Sequence, residues 1–264
     1  MLAKTCHVSG NVDDNRTADP RLSTLPNRKA LVPGDLHPAR FPPAMGHGAA
    51  TGAGLMLGRI IQGADDLAEG ARWLAAREPR FAVALSETGP LPLRRNAGGF
   101  AALLDTIMGQ QVSVASAEAI WRRLKDAGLT EADAVAQASE QDLRACGLSR
   151  QKIRYAQGLA RADLDYQALT VCPDKQVIAT LVAQPGIGRW TAEIYAMFAL
   201  GRADVFAPSD LALQEAARLL FDLPERPGDR VLRVMAANWS PWRAVAARTL
   251  WAYYRVRKSR EGIK

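Results

Sequence analysis

From residue 64 to residue 257 the chain repeats one pattern: apolar residues three or four positions apart, in segments cut by single glycines or opened by Ser and Thr. That spacing fits the turn of an α-helix and not the pleat of a strand. In DDLAEGARWLAARE, Leu67, Ala71 and Leu74 fall at i, i+4 and i+7, behind acidic residues suited to a helix N-terminus. GGFAALLDTIMGQQ and SVASAEAIWRRLKDAG follow, the latter closing on Gly128. TEADAVAQA, SEQDLRACG and SRQKIRYAQGLARADL each open on Thr or Ser with an acid or Gln soon after, which is capping chemistry. PDKQVIATLVA and RWTAEIYAMFALG come next, and two further helices are expected at 210–221 and 241–257. Alternating runs are nearly absent. The prediction is an all-α chain, a compact bundle of about ten short helices with no internal repeat.

Residues 1–55 break this pattern. They hold six prolines and six glycines and show no period. We read 1–57 as a disordered N-terminal extension, or as an over-long start with Met56 as the alternative first residue, and 58–264 as the folded domain. All three histidines, His7, His37 and His47, lie in the extension. The folded part is therefore without histidine, which removes Ser–His and Cys–His nucleophiles, His acid–base catalysis and His-ligated metals together. Cys6, Cys146 and Cys172 are too few and too irregularly spaced for a disulfide framework or a four-ligand metal knot. No apolar run reaches the roughly 18–20 residues of a membrane helix, and the N-terminus has no secretory h-region. The expectation is a cytoplasmic, monomeric protein with no membrane partner.

Charge is unevenly placed. The net charge is +7, and Arg226 to Lys264 carry ten Lys/Arg against two Asp/Glu, a local +8 that leaves −1 for the rest. A basic C-terminal stretch points to a polyanion, nucleic acid first, unless it is only a solvated face.

The stretch QPGIGRWTAE, 184–193, folds one helical segment back on the next. Gly186 and Gly188 permit positive φ and leave main-chain N–H groups bare. The helix beginning after Gly188 has unpartnered first amides and a positive dipole end, a place for phosphate contact that carries no sequence information. Ile187 can tuck between the helices. PGIG-RW-TA resembles the helix-hairpin-helix DNA-binding element. Three further stretches, LLDTIMGQQVSVASAEAIWRRL, CGLSRQKIRYAQGLA and WSPWRAVAARTLW, extend the likeness. Together they are similar to the helix-hairpin-helix DNA glycosylases, and within them to the DNA-3-methyladenine glycosylase II branch. The resemblance covers about Ile60 to Tyr254 and implies two lobes flanking a cleft, with the hairpin at 181–192.

In that superfamily the hairpin is followed by a loop ending in Pro and then a functional aspartate, and here Asp210 holds that place. From the residues alone, APSDLALQEAARLL is a helix start that Ser209 or Asp210 caps. The cap and the catalytic role coexist. Cleaving a base from deoxyribose spreads positive charge over C1′ and O4′, which a nearby carboxylate stabilises while it orients or deprotonates water. Alkylated purines already carry positive charge and leave without a strong general acid, in keeping with a folded part free of histidine. Asp204 reads instead as a structural loop carboxylate.

The resemblance further implies that strand-cutting relatives place a Schiff-base lysine where this chain has Trp190. Tryptophan is no nucleophile, so the expected reaction is monofunctional removal of 3-methyladenine and 7-methylguanine, leaving an abasic site in base-excision repair. The clustered C-terminal cysteines of an iron–sulfur cluster are missing, and no cofactor is expected. Trp190 and Trp251 line the base pocket by resemblance, their faces attracting cationic rings, or else pack in the core. Ile194 stands where some relatives have a pocket tyrosine. In the GQQVS loop Gln111 is the candidate wedge, with Val112 next, unless the glutamines only cap helix ends. Gly186, Gly188, Arg189, Thr191 and Lys152 are candidate contacts to double-stranded DNA, and the carbonyls of Gln184, Gly186 and Gly188 are a candidate sodium or potassium site. Glycosylases of the same fold for oxidised or mismatched bases, and a non-catalytic DNA-binding module, are the competing readings.

Overall fold

The computed structural model describes residues 58–260. The extension read as disordered, with Met56 and the three histidines, lies outside the described residues. Among the described residues there are thirteen α-helices, and the extended backbone amounts to one antiparallel bridge between Ile60 and Arg202. In chain order the helices are α1 (Ala64–Arg77), α2 (Pro79–Thr88), α3 (Phe100–Met108), α4 (Val114–Asp126), α5 (Ala132–Gln137), α6 (Glu140–Ala145) and α7 (Arg150–Ala160). They continue as α8 (Tyr166–Val171), α9 (Asp174–Val182), α10 (Arg189–Phe198), α11 (Leu211–Phe221), α12 (Asp229–Ala237) and α13 (Arg243–Arg260).

Ten of these coincide with the helices read from periodicity. Their starts follow the capping chemistry. Ser113 accepts from the Ser116 amide at 3.2 Å, and Ser149 from the Lys152 amide at 3.3 Å. Ser139 and Asp142 form a reciprocal box at the start of α6. Thr130 does not cap α5, which starts one residue later behind Glu131 with no side-chain cap. The added helices are α2, α8 and α12. Pro79 ends α1 and at the same time starts α2, because a missing N–H costs nothing in a first turn. The six-residue α8 stands on tertiary support. Asp165 caps its first turn, and the fully buried Arg202 gathers the carbonyls of Leu169, Thr170 and Cys172 at its end, at 2.8–3.0 Å.

Packing divides the helices into two sets. In the first, α1, α2 and α13 pack on one another, and α11 adds to α2 and α13. In the second, α3 packs on α4, α7 and α10, α9 on α10, and α5 and α6 on α7. Close approach within the first set needs Gly70, because a Cβ there would sit 2.7 Å from both Trp242 and Val245 of the C-terminal segment. Buried Trp239 stacks on Phe221 and meets Phe81 and Phe206 edge-on, and Trp242 is buried as well, so both tryptophans of WSPW are core while Ser240 and Pro241 between them are exposed. Arg248 of α13 ties the sets together. It is buried, donates to the Met197 carbonyl of α10 at 3.1 Å, and lies over Phe198 at 4.6 Å.

Candidate active site

The hairpin runs from α9 through 183–188 into α10. Gly186 has φ +81, and a Cβ there would lie 2.2 Å from the Tyr155 ring, so the position excludes any side chain. Gly188 differs from the sequence expectation. Its φ is −78, ordinary extended backbone, and a Cβ would meet nothing within 4 Å. Its value is as an N-cap without a side chain. Nothing on Gly188 covers the first turn of α10, and the amides of Arg189, Trp190 and Thr191 have no intrahelical acceptor. Ile187 is buried between the helices, as expected. The carbonyls of Gln184, Gly186 and Gly188 each accept one hydrogen bond, from the Ile187 amide, Gln110 Nε2 and the Ala192 amide.

Asp210 is the N-cap of α11. Its Oδ1 accepts from the amides of Ala212 and Leu213, both at 3.0 Å. Two further donors come from the other elements of the junction. Trp251 Nε1 of α13 donates to Oδ1 at 3.1 Å, and Trp190 Nε1 of α10 donates to Oδ2 at 3.0 Å. The sequence brought these three residues to one site through the resemblance, as an acid and two ring walls. The contact through the indole N–H groups was not foreseen. Four donors fix the carboxylate and leave Oδ2 one in-plane lone pair free to act on a reactant. Trp251 tilts against Phe198 with centroids 5.6 Å apart. Ile194 is partly buried and packs against the core cluster. Asp204, the competing acid, is held by Arg243 through two hydrogen bonds at 2.7 and 2.8 Å and by Ser240 at 2.8 Å.

The candidate DNA contacts fall in three environments. Arg189 is largely exposed, and its Nε pairs with the buried Glu193 at 3.0 Å. Glu193 also accepts from Arg233 of α12 at 3.1 Å; burial pushes its carboxyl above the usual range, with Arg233 and Arg189 opposing. The Thr191 hydroxyl is buried and accepts from Gln110, so only its main chain is placed to meet DNA. Lys152 donates to the Met108 carbonyl at the end of α3, and burial pulls its ammonium below the usual range. Gln111 is exposed at the tip of the 109–112 loop with φ +57, and Val112 beside it is exposed. Loop, hairpin and the start of α7 enclose a groove of about 900 Å³ that reaches Trp190. Sequence reasoning did not single out Gln110, whose partner Gly186 is 76 positions away.

Comparison with known proteins places this geometry. The family described as HhH-GPD superfamily base excision DNA repair protein matches residues 104–244, just over half of the chain. YfjP of Bacillus subtilis is 31% identical over 123 residues, covering 45% of this chain and 43% of that protein. DNA-3-methyladenine glycosylase 2 of Escherichia coli is 30% identical over 159 residues, covering 55% and 54%. The chain thus spans about half the length of these curated relatives. A solved DNA-3-methyladenine glycosidase from Bacillus halodurans superposes with a TM-score of 0.62 at 31% identity, covering 69% of this chain and 87% of that one.

Proposed function

The chain belongs to the HhH-GPD superfamily of base excision DNA repair proteins, and on that premise we propose that it is a monofunctional DNA glycosylase that hydrolyses the N-glycosidic bond of alkylated purines, 3-methyladenine and 7-methylguanine, and leaves an abasic site. One observation carries the reading. Asp210 is held at the mouth of α11 by two backbone amides and two indole N–H groups, with a lone pair of Oδ2 unused. A carboxylate so fixed lowers the energy of an adjacent oxocarbenium sugar without reorganising, and its free lone pair orients the attacking water. Trp190 stands where a Schiff-base lysine would be needed for strand cleavage. Two relatives named for 3-methyladenine, from Escherichia coli and Bacillus halodurans, support that base as a substrate.

The DNA contact follows from the hairpin. The uncapped amides at the start of α10 receive a phosphate, and Arg189 adds charge beside it. The carbonyls of Gln184, Gly186 and Gly188 each keep one lone pair, so the turn suits a bound sodium or potassium ion that neutralises phosphate charge. Trp190, Ile194 and Trp251 wall the extruded base, and Gln111 with Val112 fills the gap it leaves. The enzyme acts as a monomer on double-stranded DNA in the cytoplasm, at the nucleoid; none of the described helices is long and apolar enough to cross a membrane. Incubation with methylated plasmid DNA tests the reading. Free 3-methyladenine and 7-methylguanine should appear, with strand breaks only after alkali. Immediate strand cleavage, or no released base, would overturn it.

A further inference from the structure

We infer that Gln110 is a positioning residue that locks the base-extruding loop to the phosphate-binding hairpin, so that both engage DNA as one body. The inference rests on the DNA-binding part of the function proposed above. Gln110 comes from the loop after α3, yet its amide nitrogen donates to two groups of the hairpin. These are the Gly186 carbonyl at 3.2 Å and the Thr191 hydroxyl at 2.9 Å. Both N–H groups of the side chain are spent across this one seam. Its neighbour Gln111 is the residue in left-handed backbone, φ +57, a conformation a non-glycine residue holds only when its surroundings fix it. The lock on Gln110 supplies that constraint from the adjacent position.

The α7 helix braces the same seam from below. Lys152 donates to the Met108 carbonyl one residue before the loop begins. Tyr155, one turn on, lies against Gly186 so closely that no Cβ fits, and its hydroxyl accepts from Gln151 at 2.6 Å. Loop and hairpin are therefore held twice, directly through Gln110 and indirectly through α7. Lys152 and Tyr155 support one side each. Gln110 touches both sides through one side chain, and so relates the position of one directly to that of the other. A phosphate seated on α10 then sets where Gln111 enters the stack.

The test separates extrusion from binding and from catalysis. Wild type, Gln110→Leu and Thr191→Val are bound to a duplex carrying 2-aminopurine next to a tetrahydrofuran abasic site, whose fluorescence rises when the neighbouring base is unstacked. Affinity for undamaged duplex is read in parallel by anisotropy. Gln110→Leu should lower the unstacking equilibrium by about tenfold, the effect of a lost hydrogen-bonded pair, with its affinity for undamaged duplex within about twofold of wild type, and Thr191→Val should lower unstacking by about threefold. Unstacking equal to wild type in Gln110→Leu overturns the inference. So does an equal loss of unstacking and of affinity, which would make Gln110 a mere prop of the hairpin, and so does a wild type that unstacks nothing. Release of methylated purines is scored separately; its absence in wild type would sink the proposed reaction and leave the lock standing on the fluorescence result.

Discussion

Replacing Asp210 by Asn changes one atom of the site, and its consequences divide cleanly. Asn is as good an N-cap as Asp, so its carbonyl oxygen can keep the amides of Ala212 and Leu213 and the indole of Trp251, all of which now meet Oδ1. The amide nitrogen then takes the place of Oδ2, where Trp190 Nε1 approaches at 3.0 Å. Two donors face each other. Turning the amide over would satisfy Trp190 and orphan three donors, so the first arrangement wins. One partly buried donor without an acceptor costs about 1–3 kcal/mol. For a folded unit of about 200 residues that lowers Tm by roughly 2–12 °C. The chemical step loses more. A unit charge about 4 Å from the sugar cation at an effective dielectric near 20 is worth about 4 kcal/mol, or close to a thousandfold in rate. Single-turnover release of 7-methylguanine measures this term. Binding to duplexes with a neutral tetrahydrofuran or a protonated pyrrolidine at the abasic position isolates it from folding. Wild type should prefer the cationic ring, and Asp210→Asn should lose that preference while binding the neutral ring within a few-fold. A variant that excises within tenfold of wild type would refute the electrostatic role, whatever its Tm.

Three further outcomes follow from the same geometry. Trp190→Phe keeps the ring and removes the donor to Oδ2, so excision should fall by about tenfold with stability changed by less than about 1.5 kcal/mol; an unchanged single-turnover rate would show that the indole N–H does not position the acid. Gly186→Ala must adopt φ +81 and push against the Tyr155 ring, and should lose about 2–4 kcal/mol in denaturant titration, whereas Gly188→Ala meets open space and should stay within about 1 kcal/mol; equal losses would discard the packing account. Burial pushes the Asp105 carboxyl above the usual range, with Lys125 opposing. A raised folded-state pKa means the charged form costs stability above that pKa and nothing below the unfolded value near 4. Asp105→Asn should therefore melt higher than wild type at pH 7, with the gap closing as pH falls toward 4, and a gap that widens in acid would reverse the assignment.

What the sequence disclosed depends on how local each cause is. Helix starts at Ser113, Ser139 and Ser149 were readable because cap and capped amide lie three residues apart. The bend at Gly186 was readable because it sits in a short string of residues with its own chemistry, and the N-cap at Asp210 because cap and capped amides lie two and three residues apart. The α2 helix was hidden by Pro79, which ends one helix and starts the next. The α8 helix has six residues and owes its last turn to Arg202, thirty or more positions away, so no local period could reveal it. Gly188 resembled Gly186 on paper, and only the backbone distinguishes the position that needs positive φ from the one that needs an absent side chain. The indole clamp and the Gln110 lock each join separate helices, and neither leaves a local mark.

Two helix mouths, used in opposite ways, make the site. The N-terminus of α10 has no side-chain cap and is left open to an anion from outside. The N-terminus of α11 is filled by its own Asp210, whose carboxylate is turned to other work while it caps. One residue links the two. The main-chain amide of Trp190 belongs to the open mouth, and its indole N–H holds Oδ2 in the filled one. In the proposed reaction a phosphate bound at the hairpin is thus referred to the Asp210 carboxylate through the side chain of a single residue. This explains why tryptophan suits a place where relatives that cut the strand put lysine. A lysine there would supply a nucleophile and give up the donor that ties backbone position to acid position. In the proposed reaction the trade matches the leaving group: a purine already carrying positive charge needs no covalent help, but its sugar must meet a carboxylate whose place is set in advance by where the DNA backbone has docked.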